Sequence, residues 1–147
     1  MKISSFTLAL LFAAALTMRA GADEKAFTEK YKAAFEKKDT AALESFLYTE
    51  GSDPTIVGFY KMMQAGEAGG KVTKIELSNL TPEEAKKASG AQDSPDGKKV
   101  CLPLKPTKKL VIEVTTKDGD SSGTSSSTNF VAEKDGKFVI PVPGPCK

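Results

Sequence analysis

Tyrosines, lysines, serines and carboxylates are the side chains through which this chain could do acid–base chemistry, because the sequence contains no histidine. Without His there is no imidazole base, no Ser-His or Cys-His nucleophile and no His-ligated zinc or haem. Arg19 near the N-terminus is the single arginine, and tryptophan is absent. We therefore expect no cofactor and no metal, and this composition favours a non-enzymatic role.

Cys101 and Cys146 are the two cysteines of the sequence and the next candidates for chemistry. They are not spaced as C-x-x-C, the pattern of redox pairs, and two thiols alone make a poor metal site. In an exported chain such a pair usually forms one disulfide. Here it closes a loop of about 45 residues and contributes ~4 kcal/mol in the chain-entropy model. We predict a structural disulfide that holds the C-terminal "PVPGPCK" against the sheet.

The N-terminal segment has the three parts of a secretory signal peptide. Lys2 supplies positive charge, the apolar run "FTLALLFAAAL" begins at Phe6, and "AGA" provides the small residues of a cleavage site. The run is too short to span a bilayer, and a retained membrane anchor is the alternative interpretation. We predict a signal peptide over 1–22 and an exported mature chain from Asp23. We expect it to be periplasmic or secreted, with no stable membrane insertion after cleavage.

Residues 23–147 have the length of one domain with a modest core. Removing Lys2 and Arg19 leaves 19 lysines against 19 Asp and Glu residues, so the formal net charge is zero. Neither a basic excess nor an arginine for bidentate contacts with guanine remains. We therefore expect no nucleic-acid partner.

The first half of this domain has the periodicity of three helices. Apolar residues recur every three or four positions from Glu24 to Lys38, which predicts an amphipathic helix. Asp39 can cap a second helix that ends before Gly51, and Asp53-Pro54 can start a third. The three apolar stripes are Phe27, Tyr31, Ala34 and Phe35; Leu43, Phe46 and Leu47; and Ile56, Phe59, Tyr60 and Met63.

The second half changes to the alternation that is typical of strands. "TPEEAKKA" predicts one short helix with a capping box. "KDGDSSGTSSS" is interpreted as a polar connector; it resembles half a calcium loop, but Asn129 stands where the bidentate Glu is needed. Two strands are predicted from "KVTKIEL" and "KLVIEVTT", with inward residues Thr73, Ile75 and Leu77 in the first and Leu110, Ile112 and Val114 in the second.

The segment "NFVAEKDGKFVI" predicts a hairpin whose turn contains Asp135-Gly136. A two-residue loop would pair Glu133 with Phe138 and leave apolar groups on both faces. A three-residue loop with Gly136 left-handed would pair Glu133 with Lys137 and Ala132 with Phe138, which collects the apolar groups on one face. We prefer the three-residue loop for that reason.

Three helices followed by a meander of about four strands predict an α+β fold, with N-terminal helices packed on a curved antiparallel sheet. The stretch "FTEKYKAAFEKKDTAALESFLYTEG" resembles the start of nuclear transport factor 2-like and SnoaL-like proteins, which have a long helix, a break and a short Leu-rich helix. This resemblance covers most of the mature chain, through element lengths and apolar spacing. It implies a cystatin-like cone, in which the sheet wraps the first helix around a cavity.

The resemblance also implies where a ligand would bind. We expect Phe27, Tyr31, Phe35 and Tyr60 to line or plug the cone, although these rings are also what an ordinary core would contain. Enzymes of the family use a buried Asp, Tyr or His constellation, which cannot be carried over because His is missing.

Three roles remain open after these arguments. The first is an exported, non-enzymatic domain that binds a small apolar or amphipathic ligand in the cone. The second is an isomerase- or dehydratase-type enzyme that uses tyrosine and carboxylates, which requires a buried acid beside a tyrosine. The third is a homodimeric scaffold or accessory module.

Overall fold

The computed structural model describes the backbone of residues 20–147 and the side chains of residues 24–147, so the predicted signal peptide lies almost entirely outside the described residues. The fold is α+β: N-terminal helices pack against a mostly antiparallel five-stranded mixed sheet, beside a small three-stranded sheet. The elements in chain order are α1 (Ala20–Glu36), α2 (Thr40–Glu44), β1 (Leu47–Tyr48), α3 (Pro54–Glu67), β2 (Lys71–Asn79), α4 (Pro82–Ser89), β3 (Gln92–Asp93), β4 (Lys99–Cys101), β5 (Lys108–Asp118), β6 (Ser121–Lys134), β7 (Lys137–Pro141) and β8 (Gly144–Pro145).

Side-chain caps fix the starts of α2, α3 and α4, as the sequence predicts. The Asp39 carboxylate accepts from the Ala42 N–H at 3.0 Å, and the Asp53 carboxylate caps α3 ahead of Pro54. In α4 the Thr81–Glu84 capping box is formed in both directions. Each cap satisfies N–H groups that the first helical turn would otherwise leave without a partner.

The second helix is shorter than predicted. It ends at Glu44, so Phe46 lies beyond the helix and Leu47 begins strand β1. Gly51, predicted to follow the helix directly, lies in the turn before α3 with a φ of +76°. The tertiary contact overrides the helical periodicity here, because the backbone of this segment pairs with the C-terminal strand β7.

The five-stranded sheet has the order β1-β7-β6-β5-β2. The prediction of about four antiparallel strands was wrong in two respects, since β1 adds a parallel edge strand and β3, β4 and β8 form a second sheet. Helix α1 contacts β2 near one side and β7 near the other, so it lies across one face, which we call the inner face. Leu110, Ile112 and Val114 point to this face and are buried, as predicted.

A β-bulge in β2 changes which of its residues point inward. Val72 pairs with Val114 and Lys74 with Glu113, so Thr73 is the extra residue. The predicted inward position of Thr73 was therefore wrong: Thr73 is exposed, and Val72 is the buried residue. Ile75 and the rest of the strand follow the predicted alternation.

The segment interpreted as a polar connector is a long hairpin. Strand β5 continues to Asp118, the chain turns at Gly119-Asp120, and β6 returns from Ser121 in continuous register with β5. The polar sequence misled the prediction because this part of the hairpin covers no core. Its strands are held by backbone pairing that continues from the apolar part of β5 and by β-branched threonines.

The β6–β7 hairpin has the two-residue loop, and the preferred three-residue loop was wrong. Glu133 pairs with Phe138 and Lys134 with Lys137, while Asp135 and Gly136 have φ values of +52° and +73°. Two consecutive positive φ values define a type I′ turn, whose twist matches that of the strands. The argument from one apolar face failed because both faces are covered in this region.

Two apolar clusters hold these elements together. The main cluster joins α1 and α2 to the inner face through Phe35, Leu43 and Leu110, each at most 1% exposed. The second cluster, of Ile56, Val100 and Val142, packs α3 against the C-terminal segment. The predicted disulfide between Cys101 and Cys146 is present and ties β4 to the residues that follow β8.

Two adjacent lysines of β5 bind acids on two different helices. The Lys108 ammonium lies 2.7 Å from the Glu24 carboxylate of α1 and also donates to Asn79 at 2.9 Å. The Lys109 ammonium lies 2.6 Å from the Glu84 carboxylate of α4. Because successive side chains of a strand point to opposite faces, this dipeptide positions α1 from the inner face and α4 from the outer face.

Candidate functional site

The predicted aromatic stripe of α1 lies mainly in the core. Tyr31 and Phe35 are 2% and 1% exposed, and their ring centroids are 6.3 Å apart. Phe27, at the other end of the stripe, is 6% exposed and reaches the surface between α1, α2 and β7. The structure therefore divides the predicted set: Tyr31 and Phe35 fill the core, and Phe27 contributes to a surface depression.

This depression, which we call the aromatic groove, has a volume of about 480 Å³ and opens to solvent. Its floor contains three phenylalanines from three elements. The ring of Phe27 meets that of Phe46 edge-on with centroids 5.4 Å apart, and that of Phe138 at 5.7 Å. The lining residues are Ala26, Phe27, Lys30, Ser45, Phe46, Gly136, Lys137, Phe138 and Val139.

Two lysines give the rim of the groove a positive charge. Lys30 of α1 and Lys137 of β7 are exposed, and no Asp or Glu is among the lining residues. Neither ammonium lies within 4.0 Å of a carboxylate in the region from Glu24 to Lys147. The groove thus combines an apolar aromatic floor with two cations that are available to a ligand.

Of the three rings and two lysines of the groove, Phe27 was among the predicted site residues, and Lys30, Phe46, Lys137 and Phe138 were not. Phe46 was assigned to a helix face, and the wrong hairpin register placed Phe138 beside Ala132. In the two-residue register, Phe138 lies on the same face as Val131 and not on that of Ala132; this is the inner face, where the Phe138 ring meets Phe27 of α1. The Asp-Gly dipeptide was the signal for that register, since it favours a type I′ turn.

Tyr31 has an amide, not an acid, beside its hydroxyl. The Gln64 Nε2 lies 3.5 Å from the Tyr31 oxygen, and the Gln64 Oε1 is buried without a hydrogen-bond partner. Burial raises the pKa of the Tyr31 hydroxyl; the Gln64 contact lowers it and the charge of Glu67 raises it. A neutral phenol beside an amide can anchor a polar group, but it provides no base for proton abstraction.

Tyr60 lies between the two apolar clusters, where burial raises the pKa of its hydroxyl. Apart from Tyr31, the buried residue with a polar side chain among those whose burial is described is Ser94, in the β3–β4 turn, and it is not an acid. No carboxylate between Glu24 and Lys147 is buried. The acid that the isomerase- or dehydratase-type hypothesis requires therefore has no candidate in this region.

Two further depressions lie elsewhere on the surface. One, of about 640 Å³, lies where α1 and α3 end against β5, with Lys38, Lys71 and Lys117 among its lining residues. The other, of about 410 Å³, lies beside the Cys101–Cys146 disulfide, and Tyr48 and Lys147 are among its lining residues. Both lack an aromatic cluster, and the first receives the negative ends of two helix dipoles, which its lysines offset.

The described residues contain no group of three or more His, Cys, Asp or Glu side chains that could hold a metal ion. Asp118 and Asp120, which belong to the calcium-like pattern, lie at the β5–β6 turn. From Ala20 onward, no helix has both the length and the hydropathy needed to cross a bilayer.

Comparisons of the chain with protein-family models, with curated proteins and with solved structures give no match. The fold and the site by themselves define a small disulfide-linked α+β domain with an aromatic, positively rimmed surface groove.

Proposed function

We propose that this protein is an exported, non-enzymatic domain that binds a small amphipathic molecule in the aromatic groove. The ligand has a flat apolar body, which lies on the rings of Phe27, Phe46 and Phe138. It has an anionic end, which pairs with Lys30 and Lys137. The observation that carries this proposal is the convergence on one depression of three rings and two ammonium groups that have no carboxylate partner among residues 24–147.

The size and the chemistry of the groove support a small ligand. Sites for small molecules usually enclose ~300–1,000 Å³ and combine an apolar lining with a few polar groups that fix orientation. The groove has about 480 Å³ of space and fits this pattern. Because it is open on one side, we expect modest affinity from ring contacts and added selectivity for anions from the two lysines.

We further propose that the sheet and α1 form a cystatin-like cone whose interior is filled by side chains. The ligand then binds outside that interior, in the aromatic groove. The support is that α1 lies across the inner face, while Tyr31 and Phe35 occupy the interior. Export is proposed from the N-terminal pattern of the sequence and is compatible with the disulfide.

Two fluorescent probes test this proposal: 8-anilinonaphthalene-1-sulfonate, which is anionic, and N-phenyl-1-naphthylamine, which is its uncharged counterpart. We expect the folded protein to bind both. Charge reversal of both rim lysines, Lys30→Glu with Lys137→Glu, should weaken the anionic probe by about tenfold, since exposed ion pairs contribute up to ~1 kcal/mol each. It should leave the neutral probe unchanged.

Two variants serve as references. Lys105→Glu removes an exposed lysine that is not among the residues lining the groove and should bind both probes like the wild type. Ala26→Trp adds a large side chain at the groove and should abolish binding of both. If the wild type binds neither probe better than Ala26→Trp does, or if Lys105→Glu weakens the anionic probe as much as the double variant, the proposal is refuted.

A further inference from the structure

Strand β6 is paired along one edge and only partly along the other. It pairs with β5 from Ser121 to Val131, but with β7 only over Ala132–Lys134. The stretch Ser121–Asn129, which we call the free edge, has no strand on the β7 side among the residues that the structure describes. Seven of its nine residues are exposed, so none of the described elements covers this edge.

The β5–β6 turn determines which backbone groups point to the free edge. Asp118 and Ser121 flank a two-residue turn, so they form a hydrogen-bonded pair, and the pairing alternates from there. The N–H and C=O groups that consequently point away from β5 belong to Ser122, Thr124, Ser126 and Thr128. Such a row of donors and acceptors on an exposed edge is a template for another strand.

The two long edges of this sheet differ in how they are protected. Natural proteins block strand edges with charged side chains, prolines or bulges. The outer strand β2 has Lys71, Lys74 and Glu76 and the bulge at Thr73. The free edge reads "SSGTSSSTN", without a charge or a proline, and its register with β5 is unbroken. The devices that prevent pairing on one edge are therefore absent from the other.

We propose that the free edge pairs antiparallel with the same stretch of a second copy of this chain. A two-fold axis beside Ser125 pairs Ser122 with Thr128 and Thr124 with Ser126 of the other copy, as an isologous interface with about eight backbone hydrogen bonds. Because the stretch is uncharged, identical strands meet without like-charge repulsion, and their hydroxyls form cross-strand pairs. In this register the Ser125 residues of the two copies lie directly opposite each other, so their side chains are neighbours.

A second copy fits this edge better than a foreign peptide does. Domains that add a foreign strand usually obtain their specificity from pockets for alternate side chains of that strand. None of the three depressions described above is lined by a residue of Ser121–Asn129. The recognition available here is backbone pairing with a small hydroxylated strand, and the chain itself supplies such a strand.

The first test is sedimentation equilibrium of the purified protein from ~1 µM to ~1 mM, a range that covers weak homodimers. We expect the mass to rise to twice that of the monomer. In Ser126→Pro the lost N–H is one that points away from β5, so the hairpin is retained and self-pairing is blocked. This variant should remain monomeric with unchanged far-ultraviolet circular dichroism. A wild type that is monomeric throughout, or a Ser126→Pro dimer of wild-type affinity, overturns the proposal.

Two further variants locate the interface and do not depend on ligand binding. Both native cysteines are in the disulfide, so Ser125→Cys introduces a single free thiol. Mild oxidation should convert it to a covalent dimer, whereas the exposed control Ser89→Cys should stay monomeric. Ser126→Lys and Ser126→Glu should each be monomeric and should form a heterodimer when mixed. Equal cross-linking of both cysteine variants, or no heterodimer on mixing, contradicts the proposed geometry.

Discussion

Removal of the disulfide is the most direct test of how the C-terminal segment is held. The bridge joins residues that are 45 positions apart. In the chain-entropy model, closing a loop of that length lowers the entropy of the unfolded chain by an amount worth ~4 kcal/mol at 25 °C. Since domains of this size are usually stable by ~5–15 kcal/mol, the double variant Cys101→Ser with Cys146→Ser should lose a large fraction of its stability.

Urea unfolding of the oxidised wild type and of the double variant measures this loss. The reduced wild type, unfolded in the presence of a thiol reductant, is the control and should match the double variant. Hydrogen exchange adds a local measurement, because the Val142 N–H donates to the Tyr48 carbonyl at 3.0 Å. If the bridge acts on the unfolded chain, this amide should still exchange by global unfolding in the double variant.

Two results would refute this reasoning. A loss of less than ~1 kcal/mol would mean that the unfolded chain is already restricted, so that the loop-entropy calculation does not apply. Unfolding in two steps, with loss of Val142 protection first, would mean that the bridge mainly holds the folded C-terminal segment in place.

Two further predictions concern a close backbone contact and a turn. A Cβ at Gly144 would lie 2.9 Å from the Ser52 Cα, so Gly144→Ala should lower the free energy of unfolding in urea by ~1–3 kcal/mol. Gly58 lies in open space, so the control Gly58→Ala should be neutral or stabilising. Equal effects of the two substitutions would contradict the contact. The Lys98 ammonium and a hydrogen bond from the Ser94 hydroxyl lower the pKa of the Asp96 carboxyl from 3.8 to about 2. The stabilisation from the ionised carboxylate is therefore complete above the first value and is lost as the pH falls to the second. Asp96→Asn should therefore be less stable in urea than the wild type near neutral pH, with the difference disappearing over that interval; a constant difference would refute the assignment.

The helices and the apolar strands were predictable because each contains its own local signal. Asp39 and Asp53 start α2 and α3 where their capping role predicts, and the Thr81 capping box is formed. Burial alternates along β5 because Leu110, Ile112 and Val114 join the main core cluster, while Val111 and Glu113 point to the other face and are partly exposed. In these segments, local preference and tertiary packing agree.

The parts that were not predictable depend on partners distant in the sequence. No local pattern shows that Leu47 will pair with Ile140 in a parallel ladder, or that the serines before Thr128 will continue a strand. The hairpin at Asp135 was misassigned because the apolar pattern was weighed above the turn chemistry. Of the predicted site residues, Phe27 lines the aromatic groove. The other two rings, Phe46 and Phe138, lie in segments whose structure was predicted wrongly.

The pairing of β1 with β7 has a consequence for the time at which the protein can fold. The Ser52 hydroxyl donates to the Val142 carbonyl across 90 positions of sequence, beside the parallel ladder that joins residues 47–48 to 140–141. Contacts of such long range make folding slow. During synthesis β1 leaves the ribosome well before the strand that completes this ladder. The core therefore cannot be completed before β7 has been synthesised, and α1 and α2 lack part of their packing until then.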